Sequence, residues 1–185
     1  MGLDLYFYRC KKDCYEQHQH NPLALSAEAQ SAISRWMYQE YQKWGRPDYF
    51  EAAPGVVDGC RCPEESDNLI LVDGWTQHAG AAYRWFLEHT AMTLDDAHPI
   101  RVATEVIYAL YKACETVLSL ELDVFGYTDI KTCSRLLPVM GNPYFGTDEY
   151  CWDYREEVEA VMDALNALLN TIDFETEVIL VQANW

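Results

Sequence analysis

Four groups of residues in this chain are of types and spacings that could do chemistry. Cys10, Cys14, His18 and His20 follow one another closely, and Cys60 and Cys62 stand two apart in a later stretch. Four thiols and two imidazoles are a donor set for tetrahedral zinc. The spacing is that of no standard zinc knuckle, so only the fold could join the two segments. His78, Trp85 and His89, seven and four apart, fall along one line of a helix. With Asp95, Asp96 and His98 following, they form either a metal or acid–base site or a half-buried packing column. Glu40 sits among Trp36, Tyr41 and Trp44 on an apolar helical stripe. A carboxylate there needs a partner or a raised pKa. It reads as a general acid or ligand-binding group, unless the helix end lets it reach water or an arginine.

The fourth group is the stretch GNPYFGTDEYCWDY, Gly141 to Tyr154. Gly141-Asn142-Pro143 is a turn signature and Gly146 permits a second reversal. Tyr144 and Phe145 between them are expected to fold inward and stiffen the loop, or else to wall a pocket. Thr147 or Asp148 is the expected cap of the helix that follows. On that helix Tyr150, Tyr154, Val158, Val161, Leu165 and Leu168 share one face. Asp148, Glu149, Asp153, Glu156, Glu157, Glu159 and Asp163 spread over the other half. Trp152 falls among the acids. Exposed tryptophan anchors interfaces, so Trp152 with Glu149, Asp153 and Glu156 is the leading candidate contact surface. Acids at a helix start also complement the macrodipole, which is their structural explanation. The chain has no phosphate-binding glycine loop, dinucleotide fingerprint, nucleophile elbow or zincin motif. No catalytic residue is therefore assigned, and whether the protein is an enzyme stays open.

The elements that must hold these groups are read from periodicity. Leu3–Arg9, Asn68–Trp75 and Glu177–Gln182 read as strands, rich in aromatic and β-branched residues. A helix from a Ser26 cap runs to Trp44 and stops at Gly45-Arg46-Pro47. Others are expected near residues 78–90, 104–120 and 149–170, the second with the cleanest apolar stripe. Long loops are expected near residues 10–25, 46–67 and 123–147. This order predicts one α+β domain over residues 1–185, its terminal strands in one small sheet with about four helices on one side.

Composition bounds the partners. Thirty acids against 13 bases leave a net charge of −17. Such a surface repels phosphate, which argues against direct nucleic-acid binding, and attracts proteins with basic patches. Solubility alone is the plain explanation of an acidic chain. No apolar run has the length of a membrane span. The start MGLDLYFYRCKK carries its bases after the apolar residues, the reverse of a signal peptide. Tyr6 breaks the myristoylation pattern. Seven scattered cysteines then read as reduced thiols of a cytoplasmic protein.

Four segments resemble, in order, a family of small bacteriophage and prophage proteins without an assigned activity. Met1 to Tyr8 resembles that family's opening Met-Gly-Leu-Asp-Met-Tyr-Leu. Ala79 and Trp85-Phe86 are similar to its helix, in which an Ala-Asn pair precedes a Trp-Phe pair. Leu136-Leu137-Pro138, Phe145-Gly146-Thr147, Glu149-Tyr150 and Tyr154 resemble its Leu-Leu-Pro and Phe-Phe-Phe-Gly-Ser-Thr-Glu-Tyr segment. Asp173-Phe174 and the final Trp185 are similar to its end. Residues 10–67 are not covered. Where the family has Tyr-Trp-Arg-Lys, this chain has Trp75-Thr76-Gln77-His78. An anion held by those two bases in relatives is thus not implied here. The resemblance implies a phage or mobile-element origin and a bacterial host cytoplasm.

Two readings of function follow. In the first, the protein engages a basic host protein through its acidic helix, with Trp152 as anchor. If that basic patch normally holds nucleic acid, the effect is inhibition by charge mimicry. In the alternative, the protein binds a small molecule or is an enzyme, with an aromatic pocket beside Tyr144 and Phe145 that uses Glu40 or His78 and His89.

Overall fold

The computed structural model describes residues 3–44, 68–77, 79–94, 97–140 and 146–184. The second long loop, with Cys60 and Cys62, lies outside them, as do His78, Tyr144 and Phe145.

The terminal strands pair with each other at the centre of one sheet. β1 (Asp4–Lys11) and β4 (Glu177–Asn184) run antiparallel in unbroken register, from Asp4 opposite Asn184 to Lys11 opposite Glu177. β2 (Leu69–Gln77) flanks β1, and β3 (Ile100–Val102) flanks β4, giving the order β2-β1-β4-β3 with every pair antiparallel. The α+β expectation and the shared sheet are as read from the sequence.

The helices cover both faces, not one. α1 (Lys12–His18) and α2 (Pro22–Lys43) lie on one side. There Cys14, Leu25, Ala29 and Ala32 meet Tyr8, Cys10, Leu69, Leu71, Val178 and Leu180. α3 (Gly80–His89), α4 (Thr104–Leu118) and α6 (Trp152–Thr171) lie on the other. Their Phe86, Ile107, Leu110, Val158 and Leu165 pack on Leu5, Phe7, Ile179, Val181 and Ala183. The reason is in the strands themselves. β4 is buried at five consecutive positions, Glu177 to Val181. A strand apolar at both parities needs cover on both faces. The weak alternation of β1 has the same cause: Leu5 and Phe7 point one way, Tyr8 and Cys10 the other.

Three local expectations are corrected. Residues 10–25 are not a loop. β1 runs to Lys11, α1 follows at once, and α2 begins at Pro22. Asn21 is its cap, accepting from the Ala24 amide at 3.3 Å, with proline at the first helical position where its missing N–H costs nothing. Ser26 lies inside α2, and its hydroxyl bonds His98 Nδ1 at 2.7 Å. Within 123–147 stands a short helix, α5 (Ile130–Leu136), capped by Asp129, whose carboxylate accepts from the Lys131 amide and the Thr132 hydroxyl. Finally, α6 starts at Trp152, so neither Thr147 nor Asp148 caps it. The Thr147 hydroxyl instead accepts from the Glu149 amide at 3.2 Å. Among the described residues no helix is long and apolar enough to cross a membrane.

Candidate interaction surface

The start of α6 and the turn after α4 come together at one end of the molecule. Tyr154 anchors this end from inside. Its ring is fully buried and its hydroxyl donates to the Leu137 carbonyl at 2.8 Å. Tyr150 meets it edge-on, centroids 5.1 Å apart, as aromatic quadrupoles favour. Arg155 reaches across to the carbonyls of Leu118 and Leu120 at 2.5 and 2.7 Å. A cation is thereby placed on the negative end of the α4 dipole. The Thr128 amide donates to the Tyr150 carbonyl, and the Tyr127 hydroxyl to Glu149 at 2.9 Å. Glu149 in turn pushes the Tyr127 phenol pKa up, first by accepting its proton in that hydrogen bond and then because its charge opposes a phenolate.

On this frame Trp152 is exposed, with 57% of its surface in water, as expected from its place among the acids. Its indole N–H donates to Glu156 at 2.6 Å, one turn on. Asp148, Glu149, Asp153 and Glu156 at this end, and Glu159 and Asp163 further along α6, are all exposed.

Sequence reasoning missed the neighbouring turn. Asp123 folds the segment over itself: its carboxylate accepts the amides of Phe125 and Tyr127 at 2.8 and 3.0 Å. The Gly126 amide returns to the Asp123 carbonyl, and Gly126 takes a φ of 83° that only glycine adopts without strain. The result holds Val124 and Phe125 outward, 92% and 82% exposed. The signal was present in Asp-Val-Phe-Gly, an Asx start with a glycine end around two apolar residues.

Glu157 does not belong to the outward acids, where the helical wheel put it. It is half buried at the edge of the α6 core stripe and accepts the Thr147 amide at 2.7 Å. Burial pushes its pKa up to about 8, with the charge of Asp153 adding to the rise. It borders a cavity of about 10 Å3 with Ala79, Ala81, Ala82, Cys114 and Leu137, room for about one water molecule. Among the described residues it is the one carboxylate whose pKa is raised.

The other candidates are placed as follows. Glu40 has the partner its position requires, Lys43 at 2.5 Å on the same helix. Trp85 and His89 stack, 4.0 Å between centroids, and His89 Nδ1 bonds the Trp85 carbonyl. His98 does not join that column, being held by Ser26 of α2. Cys10 and Cys14 are buried and free, and burial raises both pKa values, that of Cys10 to about 12. Such thiols are poor nucleophiles. His18 is half buried and His20 exposed. Among the described residues no group of three or more His, Cys, Asp or Glu is arranged to hold a metal.

Set against family models, curated proteins and solved structures, the chain matches none of them. Fold and surface define a class on their own terms. It is an α+β domain with a helix-covered antiparallel sheet, and one end exposes large apolar side chains among carboxylates.

Proposed function

We propose that this is an acidic binding protein of phage or mobile-element type that engages a host protein through the start of α6. Trp152 is the anchor, and Glu149, Asp153 and Glu156 meet basic groups on the partner. Where that basic surface normally holds nucleic acid, the protein inhibits by occupying it. The reading is carried by one observation: Trp152 is 57% exposed at the start of α6, where Glu149, Asp153 and Glu156 are exposed as well. An exposed indole among charges is what interface anchors look like before they bind.

The test is a photo-crosslinking phenylalanine analogue in place of Trp152, activated in the bacterial host. The crosslinked protein, identified by mass and purified, should bind the unmodified chain with an affinity that falls as salt rises. It should lose that binding with Trp152→Ala, and nucleic acid should compete. Binding that ignores both salt and Trp152→Ala removes the proposal.

Glu157 favours a second reading, a small-molecule site beside Thr147. A carboxylic acid kept protonated near neutral pH can donate a hydrogen bond to a ligand. In that case Glu157→Gln, which keeps a donor, retains ligand binding, and Glu157→Ala loses it.

A further inference from the structure

At the far end of the same helices lies a groove of about 610 Å3, lined by Lys12, Tyr15, Arg101, Thr104, Phe174 and Glu177 among others. Its volume is that of small-molecule sites, about 300–1,000 Å3. We propose that it binds a small organic phosphate, a phosphate monoester carrying a flat ring, with Arg101 and Lys12 as the phosphate ligands. The assignment is independent of the acidic surface and rests on how each charge in the groove is used.

Arg101 stands on β3 opposite Leu180, which places it on the α1 side of the sheet. Its guanidinium lies 5.4 Å from the centroid of the Tyr15 ring. Among the described residues no carboxylate pairs with it. Stacking occupies the face of the guanidinium and leaves its edge of N–H donors, the part that matches a phosphate. Lys12 is fixed by two carbonyls, Phe174 at 3.0 Å and Glu175 at 2.5 Å. An ammonium has three donors, so one remains.

The acids of the groove do not cancel these cations. Glu177 is already paired with Arg9 at 3.1 Å and accepts the Asp173 amide at 2.9 Å. Glu105, exposed at the first turn of α4, is the one unpaired acid among the lining residues. Asp173, whose carboxyl is held below its usual range by the Thr176 hydroxyl and the Glu175 amide and in part by the charge of Lys12, stands at the Lys12 end, so the cation of the groove left without a carboxylate partner among the described residues is Arg101. The adjoining recess is lined by Lys11, Lys12, Asp13 and Glu175, two cations against two acids, so its charges balance. An anion therefore belongs on the Arg101 side of Lys12. The hydroxyl of Thr104 adds a donor at the same wall.

Size and lining name the rest of the ligand. A bare phosphate leaves most of this space empty. Phe174, 40% exposed, and Tyr15 supply an apolar surface on which a flat ring can rest. The acidity that repels a nucleic-acid polymer does not exclude a small dianion. Over about 8 Å at physiological salt, a ligand inside the groove responds mainly to the charges lining it.

The experiment is a titration of the whole protein with AMP, followed by amide chemical shifts and calorimetry, beside inorganic phosphate and adenosine. AMP should perturb Tyr15, Arg101 and Thr104 and bind more tightly than either fragment. Arg101→Met keeps the stem and removes the donors. It should leave the thermal midpoint unchanged and weaken AMP at least about tenfold, the worth of one charged hydrogen bond. Arg101→Lys, which keeps the charge and loses the fork, should fall between. No perturbation by millimolar AMP overturns the proposal, as does equal affinity for phosphate and AMP, or AMP binding that Arg101→Met leaves intact.

Discussion

α4 and α6 pack antiparallel, and the two ends of this pair are opposite in character. At one end α4 stops and α6 starts, with Val124, Phe125 and Trp152 exposed among carboxylates that have no ion-pair partner among the described residues. At the other α4 starts and α6 hands over to β4, and there Arg101 and Lys12 face a groove whose buried acid is neutralised by Arg9. Fifteen residues of α4 separate them, about 22 Å at the helical rise. The contrast teaches that a net charge describes a long-range field and not a site. On the two proposals above, the acidic end meets a large basic partner and the groove a small anion.

The largest expected effect falls on the buried anchor of the acidic end. Tyr154→Ala removes a fully buried ring and its bond to Leu137. It should destabilise the fold by about 3–5 kcal/mol, the scale of buried ring deletions. Urea unfolding measures this, and a loss under about 1 kcal/mol means Tyr154 does not anchor the acidic end.

Next come the exposed rings. Trp152→Ala and Phe125→Ala should each leave stability within about 0.5 kcal/mol, as surface changes do. Each should weaken the crosslinked partner by about 2 kcal/mol or more if it is an anchor. If Phe125→Ala matters and Trp152→Ala does not, the 123–127 turn is the real contact and the helix start only its flank.

Glu157 gives a pH signature at the acidic end. Its folded pKa lies above the ordinary glutamate value of 4.5, near 8. The folded state thus binds the proton more tightly than the unfolded chain does. The associated stability is full below 4.5 and is lost as pH rises through about 8. Asp153 on the same helix adds to the rise, and the Cys114 thiol borders the same cavity. Asp129 and Asp173, with lowered pKa values, act in the opposite direction at lower pH. The informative quantity is therefore the difference between wild type and Glu157→Gln in chemical unfolding. That difference should move against the wild type across this window, and a flat difference removes the buried-acid assignment.

What was legible in the sequence follows from how each element is stabilised. β1, β4 and α4 were readable because their own residues carry the pattern: aromatic and β-branched runs, or a stripe of Ile107, Leu110, Cys114 and Val117. α1 has seven residues and a single buried one, Cys14, so it leaves no periodic signal. β3 has three residues and exists through its pairing with β4. Cover on both faces was readable in the unbroken apolar run of β4 and was overlooked. Trp152 was placed correctly because exposure on a helix follows from spacing. Glu157 was not, because its burial and its bond to the Thr147 amide depend on a segment outside the helix. The groove was invisible for the same reason, drawing its lining from α1, β3, α4, β4 and the connection from α6 to β4.

The smallest expected effect tests whether the two ends are electrically separate. Asp148 is exposed at the acidic end, beside the start of α6. Asp148→Asn removes one charge about 22 Å from the groove, taking the length of α4 as the span. In water, without salt, that charge acts on a unit charge in the groove by about 0.2 kcal/mol. A screening length of about 8 Å reduces this more than tenfold at physiological salt. AMP affinity should therefore change by less than about 1.4-fold. Association with the basic partner should slow, because a rim charge steers the encounter. A several-fold change in AMP affinity is too large for a through-solvent field. It would mean that the antiparallel pair transmits binding from one end to the other, and that the contrast between the ends is one of coupled sites.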